Sequence, residues 1–257
     1  MPFASSPLPS STAVERAFRI LEFLDSTQRA WNISELSRRL ELPKSTTHIL
    51  MRTLARLGYV THETNSRSFT LALKLSGLGR SVLKNMSLPA IALPFMRSLA
   101  QSLRLTVHLA MLEKGQAVYI QKVDGPGLIR FDTYVGKRTN LHCTAVGKLL
   151  LAHSADEIKR EYLRRATFIR HTQKTIASTS ELKTELACIA QRGWAMDDEE
   201  EELEVRCLAV PVHDTDDMIV AAIGVAGTVG QVADDGTSSI ISQMKNTAAL
   251  IQTALLD

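Results

Sequence analysis

The chain contains no apolar run approaching the roughly 20 residues that a bilayer-spanning helix needs. Its opening stretch, MPFASSPLPSST, lacks the basic start and apolar core of a secretory signal. Residues 1–12 are therefore expected to be a disordered leader, and the chain a cytoplasmic protein without a membrane partner. Cysteine is scarce: Cys143, Cys188 and Cys207 are odd in number and far apart, which excludes a disulfide framework and a paired CxxC metal motif. No internal repeat occurs, and no low-complexity tract lies beyond the leader. A phosphate-binding loop is also missing. Gly147-Lys148 invites that reading, but position 142 is His where the motif needs Gly, and Leu149 stands where it needs Ser or Thr.

What is present begins at Asn32–Leu57, NISELSRRLELPKSTTHILMRTLARL. Ser34 is placed to cap a first helix, with Glu35 at its positive end. Leu42-Pro43 interrupts the pattern, and Pro43 suits the first position of a second helix. In that helix Ile49, Leu50, Leu54 and Leu57 recur at helical spacing and are expected to face inward. The outer face carries Lys44, Ser45, Thr47, His48, Arg52 and Arg56, donors with no acid among them. Such a face matches the acceptor-rich base edges and phosphates of a DNA major groove. Two β-prone runs, Gly58–Thr61 and Ser68–Leu71, flank the turn pair Asn65-Ser66 and predict a hairpin, or wing, with Arg67 near its tip for a phosphate. Val14, Ala17, Phe18, Leu21 and Leu24 predict a supporting helix ahead of the pair. Residues 1–85 hold 12 Lys/Arg against 6 Asp/Glu, whereas the rest holds 18 against 21. The basic excess thus sits in the half that would meet a polyanion.

Three parts follow: a winged helix-turn-helix over 13–73, a linker helix over 74–88, and a larger α+β domain over 89–257. In the last, Ile91–Leu103 predicts a helix, and Val107–Leu112, Ala117–Val123 and Ile129–Tyr134 predict strands. Helices are expected near Thr144–Ala152, Ala155–Arg164, Ser180–Arg192 and Gly236–Leu255. A Trp194-containing strand precedes the acidic run, and Cys207–Val212 and Met218–Ala226 complete the sheet around a turn at Asp214–Asp217.

Three segments of this domain have chemical potential. Leu141–Lys148 ends in a helix start made of small residues, whose free backbone N–H groups suit a carboxylate. Asp197–Glu202 are six consecutive acids, for which Arg206 is a candidate counter-charge. Ala221–Gly227 is a strand of small residues that leaves room beside it. Two competing readings use the same residues. One is an enzyme built on His142, Cys143 and the acidic run. The other is a zinc-dependent sensor using His142, Cys143, Cys207 and His213.

The order of these parts resembles the IclR family of bacterial transcription regulators along nearly the whole chain. The matching motifs are LPKSTTHILMRTLARLGYV, LHCTAVGKLLLA, GWAMDDEEEELEVRCLAVPV and AAIGVAG. The resemblance implies a winged helix-turn-helix joined by a linker helix to a GAF-like effector domain, with neither catalysis nor a resident cofactor or metal. It implies homodimers, often paired into homotetramers, on palindromic promoter DNA, acting as repressor or activator under control of a small organic acid. By the same resemblance Ala145, Val146, one of Asp197 and Asp198, Gly224 and Ala226 line the effector pocket. Thr144 and Arg130 are candidates for added polar contacts. Family members that grip small keto-acids usually carry SxSG on the last strand, where this chain has GxAG. Two hydroxyl donors are thereby lost, which favours a larger or more apolar, aromatic acid.

Overall fold

The computed structural model describes residues 12–63, 67–78, 87–214, 216 and 218–255. The chain divides into two compact units, residues 1–84 and 85–257. The expectations for leader residues 1–11, the Asn65-Ser66 turn, connector residues 79–86, and positions 215 and 217 lie outside the described residues. Among the described residues no helix is long and apolar enough to cross a membrane.

The first unit runs α1 (Thr12–Thr27), β1 (Trp31–Asn32), α2 (Ile33–Arg39), α3 (Lys44–Arg56), β2 (Val60–Glu63) and β3 (Ser68–Leu71). Its strands form an antiparallel sheet in the order β1-β3-β2. The helix cap lies two residues earlier than Ser34. Asn32 is extended and its side chain accepts from the Glu35 amide at 3.0 Å, while Glu35 Oε2 accepts from the Asn32 amide at 3.1 Å. This reciprocal pair satisfies two donors that a serine at position 34 cannot reach. Pro43 likewise caps α3 rather than opening it.

The phase of α3 differs from the expected one. Its buried positions are Thr47, Met51 and Leu54, an i, i+4, i+7 stripe, whereas Ile49 is 64% exposed and Leu57 44% exposed. The Thr47 hydroxyl is consumed locally, donating to Pro43 O at 3.1 Å, so this threonine packs inward at little cost. Met51 and Leu54 join Ile20, Leu24, Trp31, Leu36 and Phe69 in the core. On α1 the inward residues are Ile20 and Leu24, and Val14 and Phe18 stay more than half exposed.

The second unit contains α4 (Ser87–Leu103), β4 (Thr106–Glu113), β5 (Gln116–Val123), β6 (Arg138–Thr139), α5 (Ala145–Ala152), α6 (Asp156–Arg165), α7 (Thr179–Arg192), β7 (Ala195–Asp198), β8 (Val205–His213), β9 (Ile219–Thr228) and α8 (Thr237–Ala254). Its six strands form one antiparallel sheet ordered β6-β5-β4-β9-β8-β7. The segment 129–134 is not a strand. Lys122 Nζ takes the Phe131 and Thr133 carbonyls at 2.9 and 2.8 Å, and the strand on this edge of β5 is the later, two-residue β6, Arg138–Thr139.

The two faces of this sheet differ in side-chain size. One carries Val107, Leu109, Leu208, Val210, Ile223 and Val225 against α4 and α8. The opposite face carries Ala110, Ala195, Ala209 and Ala222 against α5 and α7. Because side chains alternate along a strand, Gly224 and Ala226 share the face of Ala222. The small face lets α5 approach so closely that every one of its residues is buried. Gly147 is required there, because a Cβ would stand 2.2 Å from Asn140 O and 2.8 Å from Leu141 Cα.

Candidate functional site

On the first unit, Lys44, Ser45, His48, Arg52 and Arg56 are exposed along one side of α3. His48, Arg52 and Arg56 face a groove whose other wall is the hairpin, where the rings of His62 and Phe69 pack at a tilt with centroids 4.5 Å apart. Arg67 opens β3 in the left-handed conformation, φ 51°. Thr47 is the exception among the expected contact residues: it is fully buried and cannot reach a groove. Ile49 is exposed instead.

On the second unit, the small face of the sheet leaves a cavity of about 370 Å³ under the start of α5. Thr144 caps that helix, its hydroxyl accepting from the Gly147 amide at 3.2 Å. The amides of Ala145 and Val146, in the first turn, have no acceptor within the helix. Thr144, Ala145, Val146, Asp197, Gly224 and Ala226 all line the cavity. Val146 fills the space that a side chain at 224 would need: a Cβ on Gly224 would lie 2.7 Å from Val146 Cγ1. The GxAG sequence and Val146 are therefore one steric feature.

Asp197 is 3% exposed, and its Oδ1 accepts from the Glu200 amide at 2.7 Å. Burial outweighs this bond and raises its pKa to about 7. Asp198, one residue on, points away from the cavity. It pairs with Arg206 at 2.5 Å and Lys174 at 3.1 Å, which confirms Arg206 as a counter-charge to the acidic run and removes Asp198 from the site. Arg130 is also displaced: its guanidinium donates to the carbonyls of Gly125, Gly127 and Ile129 on an exposed loop. That loop exists because 129–134 is not a strand, so the residue expected to point inward is carried outward.

Sequence reasoning missed His108, Tyr119, Thr133 and Lys137, which line the same cavity. His108 Nε2 lies 2.7 Å from Thr133 Oγ1, and its ring packs at a tilt of 37° against Tyr119, with centroids 4.8 Å apart. Burial, reinforced by the charge of Lys122, lowers the His108 pKa to about 3, so the imidazole is neutral near pH 7. The signal was available: His108 is the one ionisable residue within the apolar run Val107–Leu112. It stands directly opposite Gly224 in the β4–β9 register and so shares its face.

Lys148 does not bind phosphate. It is 1% exposed, bonded to Glu200 and 3.8 Å from Glu185, and so ties α5 to the acidic loop and to α7. The thiol expected to act with His142 is unsuited to nucleophilic chemistry. Burial pushes the Cys143 thiol well up, and both His142 ring nitrogens are occupied, by Ile169 O at 3.1 Å and the Tyr162 hydroxyl at 3.4 Å. Among the described residues, no three of His142, Cys143, Cys207 and His213 bring ligand atoms together.

Comparison with known proteins agrees with this arrangement. Residues 13–64 match the IclR helix-turn-helix domain, and residues 80–253 match the bacterial transcriptional regulator IclR C-terminal domain. The HTH-type transcriptional regulator KdgR of Dickeya chrysanthemi is 37% identical over 240 residues, covering 93% of this chain and 78% of that protein. The Thermotoga maritima IclR crystal structure superposes with a TM-score of 0.72 at 28% identity, covering 94% of this chain and 98% of that one. An IclR homologue from Microbacterium hydrocarbonoxydans, crystallised with 4-hydroxybenzoate, gives 0.79 at 23% identity, covering 95% and 99%. The relatives are regulators and not enzymes, and this chain, with its helix-turn-helix unit and its effector-type α+β unit, belongs to the IclR family of bacterial transcriptional regulators.

Proposed function

We propose that this transcriptional regulator reads a palindromic promoter site as a dimer or a pair of dimers, and that a small organic acid in the second unit's cavity controls it. Lys44, Ser45, His48 and Arg52 then face base edges and phosphates of the major groove, with Arg56 and Arg67 on the backbone. One recognition helix reads too few base pairs for useful specificity, and a twofold pair of half-sites supplies the rest. A bacterial regulator of this kind works in the cytoplasm, where its DNA lies.

The observation that carries the effector reading is the cavity's position against the first turn of α5. Its volume of about 370 Å³ lies within the range of about 300–1,000 Å³ usual for small-molecule sites. A carboxylate directed at the Ala145 and Val146 amides meets the positive end of the helix. Asp197, largely protonated below its pKa of about 7, then acts as a donor rather than a repelling charge. Val146, Tyr119, Phe131 and the neutral His108 give one part of the wall an apolar and aromatic character suited to a ring, beside polar residues that include Thr133 and Lys137. The 4-hydroxybenzoate held by the Microbacterium homologue supports an aromatic acid as the class to test first. Control requires that the acid bind two states of the protein with different affinity.

The test is fluorescence anisotropy of the purified protein on its own upstream intergenic DNA and on scrambled DNA at near-physiological salt. Aromatic and aliphatic acids are then titrated into the same sample. Specific binding shifted by an aromatic acid is the expected result. Equal, weak binding to both DNAs defeats the operator assignment, and specific binding indifferent to every acid defeats the effector assignment.

A further inference from the structure

Three segments distant in sequence meet beside the cavity: the turn 140–143 before α5, the loop around 171, and the acidic loop 199–202. Cys143 Sγ lies 2.7 Å from Glu201 Oε2, and His171 Nε2 lies 3.9 Å from the same oxygen. The three donor atoms all fall within 4.8 Å of one another. Cys143 is fully buried, while the His171 and Glu201 side chains remain 29% and 36% exposed, so an ion can enter from solvent. The Asn140 amide completes the group, with Nδ2 3.2 Å from His171 Nε2 and 3.3 Å from Glu201 Oε2.

We propose that Cys143, His171 and Glu201 form a Zn²⁺ site, with a water or the turned-over amide oxygen of Asn140 as fourth ligand. A thiol is a weak hydrogen-bond donor and the Asn140 amide is a neutral one at 3.3 Å, so neither brings a compensating charge to a carboxylate held in partial burial. A divalent cation binds both groups at once. The mixed sulfur, nitrogen and oxygen set selects zinc over magnesium or calcium, which take oxygen ligands. Zinc bonds of about 2.0–2.3 Å in a tetrahedron place donor atoms roughly 3.3–3.7 Å apart. The observed 2.7 and 3.9 Å bracket that spacing, and the sulfur–imidazole pair lies within 4.8 Å, so binding requires shifts of about an ångström. On binding, the Cys143 S–H bond breaks, a sulfur–zinc bond forms, and the proton leaves to solvent with no change of oxidation state. Glu201 also lines the cavity, and its loop carries Glu200, whose amide donates to Asp197 at the end of β7, so the ion anchors a wall of the effector site.

The test uses the full chain, free of any affinity tag, reduced and stripped with chelator. ZnCl₂ is titrated by calorimetry, and CoCl₂ by absorption. The expected result is one equivalent per chain and a near-ultraviolet thiolate-to-cobalt charge-transfer band that Cys143→Ser abolishes. His171→Ala changes a partly exposed loop position and is expected to fold normally while lowering zinc affinity by at least about tenfold. Absence of stoichiometric uptake overturns the proposal. So does a charge-transfer band that survives Cys143→Ser, or wild-type affinity in folded His171→Ala.

Discussion

Restoring the hydroxyl that the last strand lacks, by Gly224→Ser, sets a steric cost against a chemical gain, and both can be worked from the structure. The new Cβ would stand 2.7 Å from Val146 Cγ1 and 3.5 Å from Leu208 O. Val146 is β-branched, 4% exposed and held in the wholly buried α5, so it has no free rotamer into which to retreat. Overpacking of this kind costs about 1–3 kcal/mol. Val146→Ala alone removes two buried methyl groups, worth about 0.8 kcal/mol each, and leaves a small void. In the double variant the serine enters the space that the valine vacated, so the two losses offset instead of adding. Urea denaturation of the four proteins reads this as a coupling energy of about 1–3 kcal/mol. The serine hydroxyl also faces the cavity opposite His108, where a hydrogen bond to a charged ligand contributes about 1.5–3 kcal/mol. Pyruvate and similar keto-acids, titrated by calorimetry, are then expected to bind the double variant roughly tenfold to a hundredfold more tightly than wild type. Losses that add within about 0.5 kcal/mol would show that Val146 and Gly224 are sterically independent, and the reasoning would be wrong.

Arg52→Ala is expected to weaken operator binding and to reduce the slope of log affinity against log salt by about one. Thr47→Val, buried on the other side of α3, leaves that slope unchanged; a gel-shift series over several salt concentrations separates the two. Lys148→Met strands Glu200 without its cation and is expected to destabilise the second unit by about 3–5 kcal/mol in urea denaturation, with Lys148→Met/Glu200→Leu recovering most of the loss. His108 binds a proton only near pH 3 when folded but near 6.5 when unfolded, so its stabilising contribution is present above 6.5 and is lost as pH falls towards 3. His108→Gln is therefore expected to flatten the fall of stability over that window by up to one proton, measured as denaturation midpoints against pH.

Much of the fold was legible because its elements obey local rules. The strand β8, Val205–His213, and the helix α7, Thr179–Arg192, follow their hydrophobic patterns and their end signals, including Ser178 as cap and Gly193 in the left-handed conformation. The failures occurred where tertiary contacts decide. Segment 129–134 has the composition of a strand, yet Lys122 reaches across to two of its carbonyls, an event that no local pattern announces. In α3 a stripe through Thr47, Met51 and Leu54 competed with the expected one through Ile49, Leu50, Leu54 and Leu57, of which Leu54 is buried and Leu50 packs on the core while Ile49 and Leu57 are exposed. A threonine that bonds its own backbone behaves as an apolar residue, and the helix took that phase.

The cavity was half legible for a different reason: strand parity allocates side chains to faces, but only register says which residues share one. Gly224 and Ala226 differ by two and must point the same way, so the small-residue strand could be read as a wall. His108 is over a hundred positions away, and its membership of that wall depends on β4 pairing with β9 so that His108 meets Gly224. The acidic run shows the same limit. Consecutive residues of β7 face opposite ways, so Asp197 enters the cavity and Asp198 must leave it, as its bonds to Arg206 and Lys174 show. A motif of six acids therefore could not act as one site. Parity splits it at the strand, and the turn that follows sends Glu200 to the buried Lys148 and Glu201 to Cys143.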